Sequence, residues 1–209
     1  MTTERVYNFS PGPAILPLSV LEHAQKELLA LPGIGMSVME IGHRTKPFDA
    51  IMVETRQLLK DLLGIPEGYT MLFLQGGASL QFSMVPMNFL RDSGKPADYV
   101  LTGTWGNKGK DEAEKEGKVN VAWDGKADNY SYLPTESDLK LSDDAAYVHV
   151  TSNETIQGIQ FLSDPKFGKA PLVCDASSDF MCRPLDMTKY DLLYACAQKN
   201  AGIAGVTVV

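Results

Sequence analysis

Leu172-Val173-Cys174-Asp175-Ala176-Ser177-Ser178 is an apolar run that stops on a carboxylate and a cluster of small polar residues. A continuous apolar run suits a parallel strand covered on both faces, and places the polar set at the strand's carboxyl end. The same arrangement recurs on either side of it. Tyr69–Leu74 precedes Gln75-Gly76-Gly77-Ala78-Ser79, and Asp98–Leu101 precedes Gly103-Thr104-Trp105-Gly106. Tyr147–Val150 precedes Ser152-Asn153-Glu154-Thr155, and Asp191–Tyr194 precedes Gln198-Lys199-Asn200. Val119–Trp123 and Val206–Val209 complete the set of candidate strands, with helical runs over about 79–90 and 105–116 between them. Alternating strands and helices predict an α/β domain built on a mainly parallel sheet with helices on both faces. In such sheets ligands bind beyond the carboxyl ends of the strands, so the polar sets are the candidate site residues.

Upstream, Tyr7-Asn8-Phe9-Ser10-Pro11-Gly12-Pro13 reads as a loop, because two prolines around a glycine continue neither a helix nor an inner strand. Ser19-x-x-Glu22 has the form of a capping box. Leu21, Ala24, Leu28 and Leu31 continue it at helical spacing as far as Pro32-Gly33. A second helix is predicted over about 48–63, with Phe48, Ile51, Thr55, Leu58, Leu59 and Leu62 on one side and Gly64 as its stop. Residues 1–16 are thus read as an N-terminal loop and 17–209 as one domain. Gly205-Val206-Thr207-Val208-Val209 is strand-like with no turn or cap after it, which reads as a fragment of a longer domain.

Composition narrows the class. Of the 209 residues, 44% are hydrophobic and 22% charged, as in an ordinary globular domain rather than a disordered or fibrous one. No apolar run approaches the ~18 residues that span a bilayer. The first ten residues lack the apolar core of a secretory signal, so a soluble cytoplasmic protein is expected. Lys+Arg 19 against Asp+Glu 26 gives a net charge of −7, which disfavours a broad nucleic-acid surface. Cys174, Cys182 and Cys196 are odd in number and lack C-x-x-C spacing, and so read as reduced thiols rather than a disulfide frame or metal site. Cys174 and Cys182 are expected to be inert, and His23 and His149 to be structural.

A glycine-rich turn opening into a helix offers free N–H groups to a phosphate, and Gly76-Gly77-Ala78-Ser79 has that form. It matches neither the dinucleotide fingerprint nor the Walker loop. Asp175 ends one strand and Lys199 follows another. On spacing alone they suit a plain ion pair as well as a pyridoxal 5′-phosphate (PLP) site. In such a site a lysine carries the cofactor, an aspartate holds its ring nitrogen protonated, and an aromatic ring, here Trp105, stacks on it.

Six stretches resemble phosphoserine aminotransferases in order and spacing: Asn8–Pro13, Gly42-His43-Arg44, Leu74–Phe82, Asn153–Gly158, Asp175–Ser178 and Ala197–Asn200. The resemblance covers the whole chain but only part of the family's length. It implies the large domain of a fold-type-I PLP-dependent transferase, with the C-terminal small domain absent. The implied protein is a homodimer that transfers the amino group between O-phosphoserine/3-phosphohydroxypyruvate and glutamate/2-oxoglutarate in serine biosynthesis. On this resemblance Lys199 is the Schiff-base lysine and proton shuttle, Asp175 pairs with the pyridinium nitrogen, and Trp105 stacks on the ring. Thr155 bonds the ring's phenolic oxygen; Ala78, Ser79 and Gln198 hold the phosphate. Arg44 and His43 clamp the substrate's distal anion, and Ser10 contacts the substrate. The chain departs from the family at Cys196, where the family has glycine and a side chain is expected to crowd the backbone beside Lys199. The family's C-terminal part supplies an arginine for the substrate's α-carboxylate, so residues 1–209 alone are expected to bind PLP weakly and turn over little. The alternatives are a related PLP enzyme such as a cysteine desulfurase, which needs a nucleophilic cysteine on a mobile loop, and a non-catalytic module with the same fold.

Overall fold

A computed structural model describes residues 4–209; residues 1–3 of the N-terminal loop lie outside the described residues. Residues 4–17 carry no helix or strand. Helix α1 (Leu18–Leu28) follows, and Pro17 occupies its N-cap position. Ser19 therefore lies inside the first turn and caps nothing, contrary to the predicted capping box: proline's fixed φ and missing N–H suit the start of a helix. Helix α2 (Lys46–Leu63) has Pro47 in its first turn and ends on Gly64 in the left-handed conformation, as predicted. Its buried residues are Leu59 and Leu63, whereas Leu58 and Leu62 face outward.

The remaining elements are strand β1 (Phe73–Leu74), helix α3 (Gly77–Phe89), strand β2 (Ala97–Leu101), helix α4 (Thr104–Ala113), strands β3 (Val119–Asp124), β4 (Val148–Thr151), β5 (Asn153–Glu154), β6 (Ile159–Gln160), β7 (Leu172–Asp175), β8 (Leu192–Cys196) and β9 (Thr207–Val208). Seven strands form one sheet in the order β1-β9-β8-β7-β4-β2-β3. The run β8-β7-β4-β2-β3 is parallel throughout. Only β9 runs against its neighbours, pairing Cys196 with Thr207 on one side and Phe73 with Val208 on the other. The small antiparallel hairpin β5–β6 is an element that hydrophobic periodicity did not predict: two residues per strand are too few to show alternation.

Side chains alternate across the sheet. Tyr99, Leu101, Tyr147, Val173 and Tyr194 pack under α3 and α4 with Phe82, Val85 and Leu90. Val100, Val148, Val150, Leu172 and Cys174 point the other way, against Phe161, Phe167 and Tyr190. On that second face α2 covers Ala195 and Val208 through Leu59 and Leu63. Helices thus lie on both faces, with loop aromatics completing the second. His149 is buried in the first layer, stacked 4.8 Å from Tyr99, and its Nε2 lies 2.8 Å from the Tyr194 hydroxyl. Burial pushes its pKa down to about 3, so it is a neutral core group. His23 lies on exposed α1, 3.5 Å from Glu27. Among the described residues no helix is long and apolar enough to cross a membrane.

Candidate active site

The carboxyl ends of β2, β4, β7 and β8 and the turn after β1 converge on one cavity of about 320 Å³. Ala78, Ser79, Trp105, Thr155, Asp175, Gln198 and Lys199 all line it, with Gly12 of the N-terminal loop and Cys196. Convergence follows from the parallel sheet, which brings all its strand ends to one edge. The loop is tied to this edge, because Ala14 N–H donates to the Gln198 carbonyl at 2.8 Å. Ser10, His43 and Arg44 are exposed and do not line the cavity.

Lys199 is half-buried, and its Nζ donates to Thr155 Oγ1 at 2.5 Å. The same Nζ lies 5.5 Å from the centre of the Trp105 ring. Asp175 is buried, with Oδ1 accepting from Ser177 N–H at 3.0 Å and from Ser177 Oγ at 2.6 Å. Its Oδ2 has no hydrogen-bond partner among the described residues. Burial holds the Asp175 carboxyl above its ordinary range, and the Ser177 bonds and the Lys199 charge only partly offset this. A buried carboxylate with one oxygen unpaired at a cavity wall is an acceptor waiting for a cationic donor. Thr151, in register with Asp175 on β4, adds a buried hydroxyl with no partner on the same wall. Cys196 fills the position beside this wall, and its N–H donates to Ser177 Oγ at 3.2 Å. Burial pushes the Cys174 thiol up, as suits an inert core residue.

The two helix N-termini at the cavity differ. In α4, Trp105 N–H and Gly106 N–H donate to the two carboxylate oxygens of Glu154 at 2.9 and 2.7 Å. The first turn of α3 carries Ala78 and Ser79 and has no side-chain cap, so its N–H groups remain free for an anion. That turn depends on Gly76, at φ +93°, where an added Cβ would stand 2.6 Å from Leu80 Cβ. Gly76→Ala is therefore expected to destabilise the fold by about 2 kcal/mol, combining left-handed strain with a clash. Urea unfolding checks this; an unchanged midpoint would contradict it.

The sequence pattern of the family described as Aminotransferase class-V matches residues 6–209. The chain belongs to the class-V aminotransferase family. Phosphoserine aminotransferase of Rhodopirellula baltica is 56% identical over 207 residues, covering 99% of this chain and 55% of that protein. The solved phosphoserine aminotransferase of Bacillus circulans subsp. alkalophilus superposes with a TM-score of 0.95 at 50% identity, covering 99% of this chain and 57% of that one. The PLP-bound phosphoserine aminotransferase of Trichomonas vaginalis gives 0.91 at 45% identity, over 98% of this chain and 57% of the other. This class-V chain thus spans just over half the length of the relatives it matches.

Thr151 and Gln157 lie outside the polar sets that mark the site in the sequence, and Glu154 lies inside one of them without an assigned role. Gln157 Oε1 accepts from Thr104 N–H at 3.1 Å and its Nε2 donates to Thr104 Oγ1 at 2.8 Å. Glu154 stands beside Thr155 in a recognisable motif, but its partners lie about 50 residues upstream, and no local pattern links them.

Proposed function

We propose that the chain is the cofactor-binding part of a PLP-dependent phosphoserine aminotransferase. The observation that carries this reading is the Asp175 carboxylate: buried, held on one oxygen by Ser177, and unpaired on the other at the cavity wall. A pyridinium N–H meets that need, and the open α3 N-terminus suits the phosphate at the other end of the same molecule. Ala78, Ser79 and Gln198 would hold the phosphate, Thr155 the phenolic oxygen, and Trp105 the ring face. When bound, PLP supplies an electron sink for the carbon bearing the amino group.

The chain's own residues supply the rest. Asp175 keeps a proton on the ring nitrogen through its free oxygen. Lys199 Nζ would take the proton from the substrate's α-carbon and deliver it to the imine carbon that PLP supplies, and Thr155 Oγ1 holds that Nζ in place. The exposed pair His43 and Arg44, just ahead of α2, would hold the distal phosphate or carboxylate of phosphoserine or glutamate, a task suited to a planar guanidinium. Ser10 would contact the substrate from the N-terminal loop. Pairing as a homodimer, cytoplasmic residence and a place in serine biosynthesis belong to the same reading. A cysteine desulfurase is less well supported, since Cys174 and Cys196 are buried and the exposed Cys182 does not line the cavity.

Addition of PLP is expected to produce a visible absorption band, and borohydride to fix one adduct on Lys199. Peptide mapping that places the adduct elsewhere overturns the site. Turnover is measured on a protein of the relatives' length carrying these 209 residues. Glutamate formed from phosphoserine and 2-oxoglutarate supports the reading, and sulfide released from cysteine contradicts it.

A further inference from the structure

We propose that Glu154 is a positioning residue that sets Trp105 against the cofactor cavity by closing the N-terminus of α4. The inference rests on the PLP reading above for what Trp105 meets, and on the protein alone for how Trp105 is held.

Glu154 is fully buried, yet it makes no ion pair within salt-bridge distance among the described residues. Its two oxygens are instead taken by consecutive backbone N–H groups, those of Trp105 and Gly106. A carboxylate there meets both unsatisfied donors and the positive end of the helix. Two bonds to adjacent N–H groups fix the direction of the first turn of α4, and with it the position of the Trp105 indole. Burial nonetheless raises the Glu154 pKa, with the two N–H bonds opposing the shift, so the carboxylate sits there at a cost to stability.

The surroundings are shaped to the same end. An added Cβ on Gly103 would stand 2.6 Å from Glu154 Cδ and 2.4 Å from Gln157 Oε1, so the glycine leaves the room that the carboxylate occupies. The β5–β6 hairpin holds Glu154 by pairing it with Ile159, and its carbonyl accepts from Gly158 N–H at 2.8 Å. Thr155, the next residue, takes the Lys199 ammonium. One short hairpin therefore holds Trp105 through one residue and Lys199 through the next, which sets their separation across the cavity.

Two measurements test this. The first is amide hydrogen exchange at Trp105 and Gly106 in the chain without cofactor. Glu154→Ala is expected to speed exchange at both amides at least about tenfold, while Glu154→Gln, with one acceptor oxygen, keeps one of them slow. The second is PLP affinity in a double-mutant cycle with Trp105→Ala. Glu154→Ala is expected to weaken PLP about tenfold when Trp105 is present and less than about twofold when it is absent. Unchanged exchange at Trp105 and Gly106, or an equal loss of affinity in both backgrounds, overturns the proposal. Should Glu154→Ala not fold, Glu154→Gln is read instead: faster exchange at one of the two amides and a loss of PLP affinity confined to the background with Trp105 are expected, and no change at either amide, or an equal loss in both backgrounds, overturns the proposal. A parent chain that binds no PLP would sink the PLP reading, and the exchange measurement would still decide whether Glu154 holds Trp105.

Discussion

In a protein of the relatives' length carrying these 209 residues, replacing Lys199 with alanine is expected to abolish the borohydride-fixed adduct and to lower phosphoserine turnover by about 10⁴-fold, the upper end of what a positioned proton-transfer group contributes. The size of the effect follows from geometry. Lys199 is the one lysine lining the cavity among the described residues, and its Nζ is aimed by Thr155 rather than free in solvent. Its stem packs beside Gly12, where an added Cβ would stand 3.0 Å from Lys199 Cγ, so the N-terminal loop also fixes its path. Among the described residues the only other lysine near the Trp105 ring is Lys108, 4.4 Å from its centre, but it is exposed and outside the cavity. Lys199→Arg separates charge from chemistry, because a guanidinium keeps the positive charge and never gives up its proton. It should retain PLP phosphate binding and remain as inactive as the alanine variant. Turnover within tenfold of the parent in either variant would refute the assigned role.

Asp175→Asn is expected to act in opposite directions on function and stability. Without an ionised acceptor at the free Oδ2 position, the ring nitrogen of bound PLP loses its proton and the electron sink weakens, so activity should fall by about 10²-fold or more. The cofactor-free protein should become more stable. Burial raises the Asp175 pKa in the folded chain, so the protonated form is the one that folding favours. Its penalty is absent below the ordinary carboxylate range and grows as pH rises through the elevated folded value. Asparagine keeps an acceptor for the Ser177 N–H and hydroxyl and carries no charge to desolvate. Thermal unfolding without PLP, at neutral pH and near pH 4, checks this: the midpoint should rise on substitution at neutral pH and the gain should shrink on acidification. A lower midpoint at neutral pH, or near-normal turnover, would contradict the assignment. Such a trade is the signature of a site that holds an uncompensated charge until its ligand arrives.

Much of the architecture is legible locally. Leu172–Cys174 is apolar on both faces and Tyr147–Val150 nearly so, a pattern that suits parallel strands buried between layers, and both strands are buried throughout. Gly64 ends α2 where a left-handed residue is required. The ordered motifs around Ala78, Asp175 and Lys199 also carry most of the cavity wall, since in a parallel sheet the residue after each strand is brought to one edge whatever the loops do. Other features are not local. Ser19 has the form of a cap but sits behind Pro17, and which of Leu58, Leu59, Leu62 and Leu63 faces inward depends on how α2 meets β8 and β9. The antiparallel sense of β9 shows only once it is placed between β1 and β8. The Glu154 clamp on α4 joins residues about 50 apart, and the orphaned hydroxyl of Thr151 shows only when everything around it is placed. Periodicity and turn chemistry are properties of a few consecutive residues, so sequence alone determined the strands of the main sheet, the helices and the edge at which chemistry gathers. Which polar atoms find partners and which stay free for a ligand is a property of contacts between distant segments, and only the tertiary structure decided it.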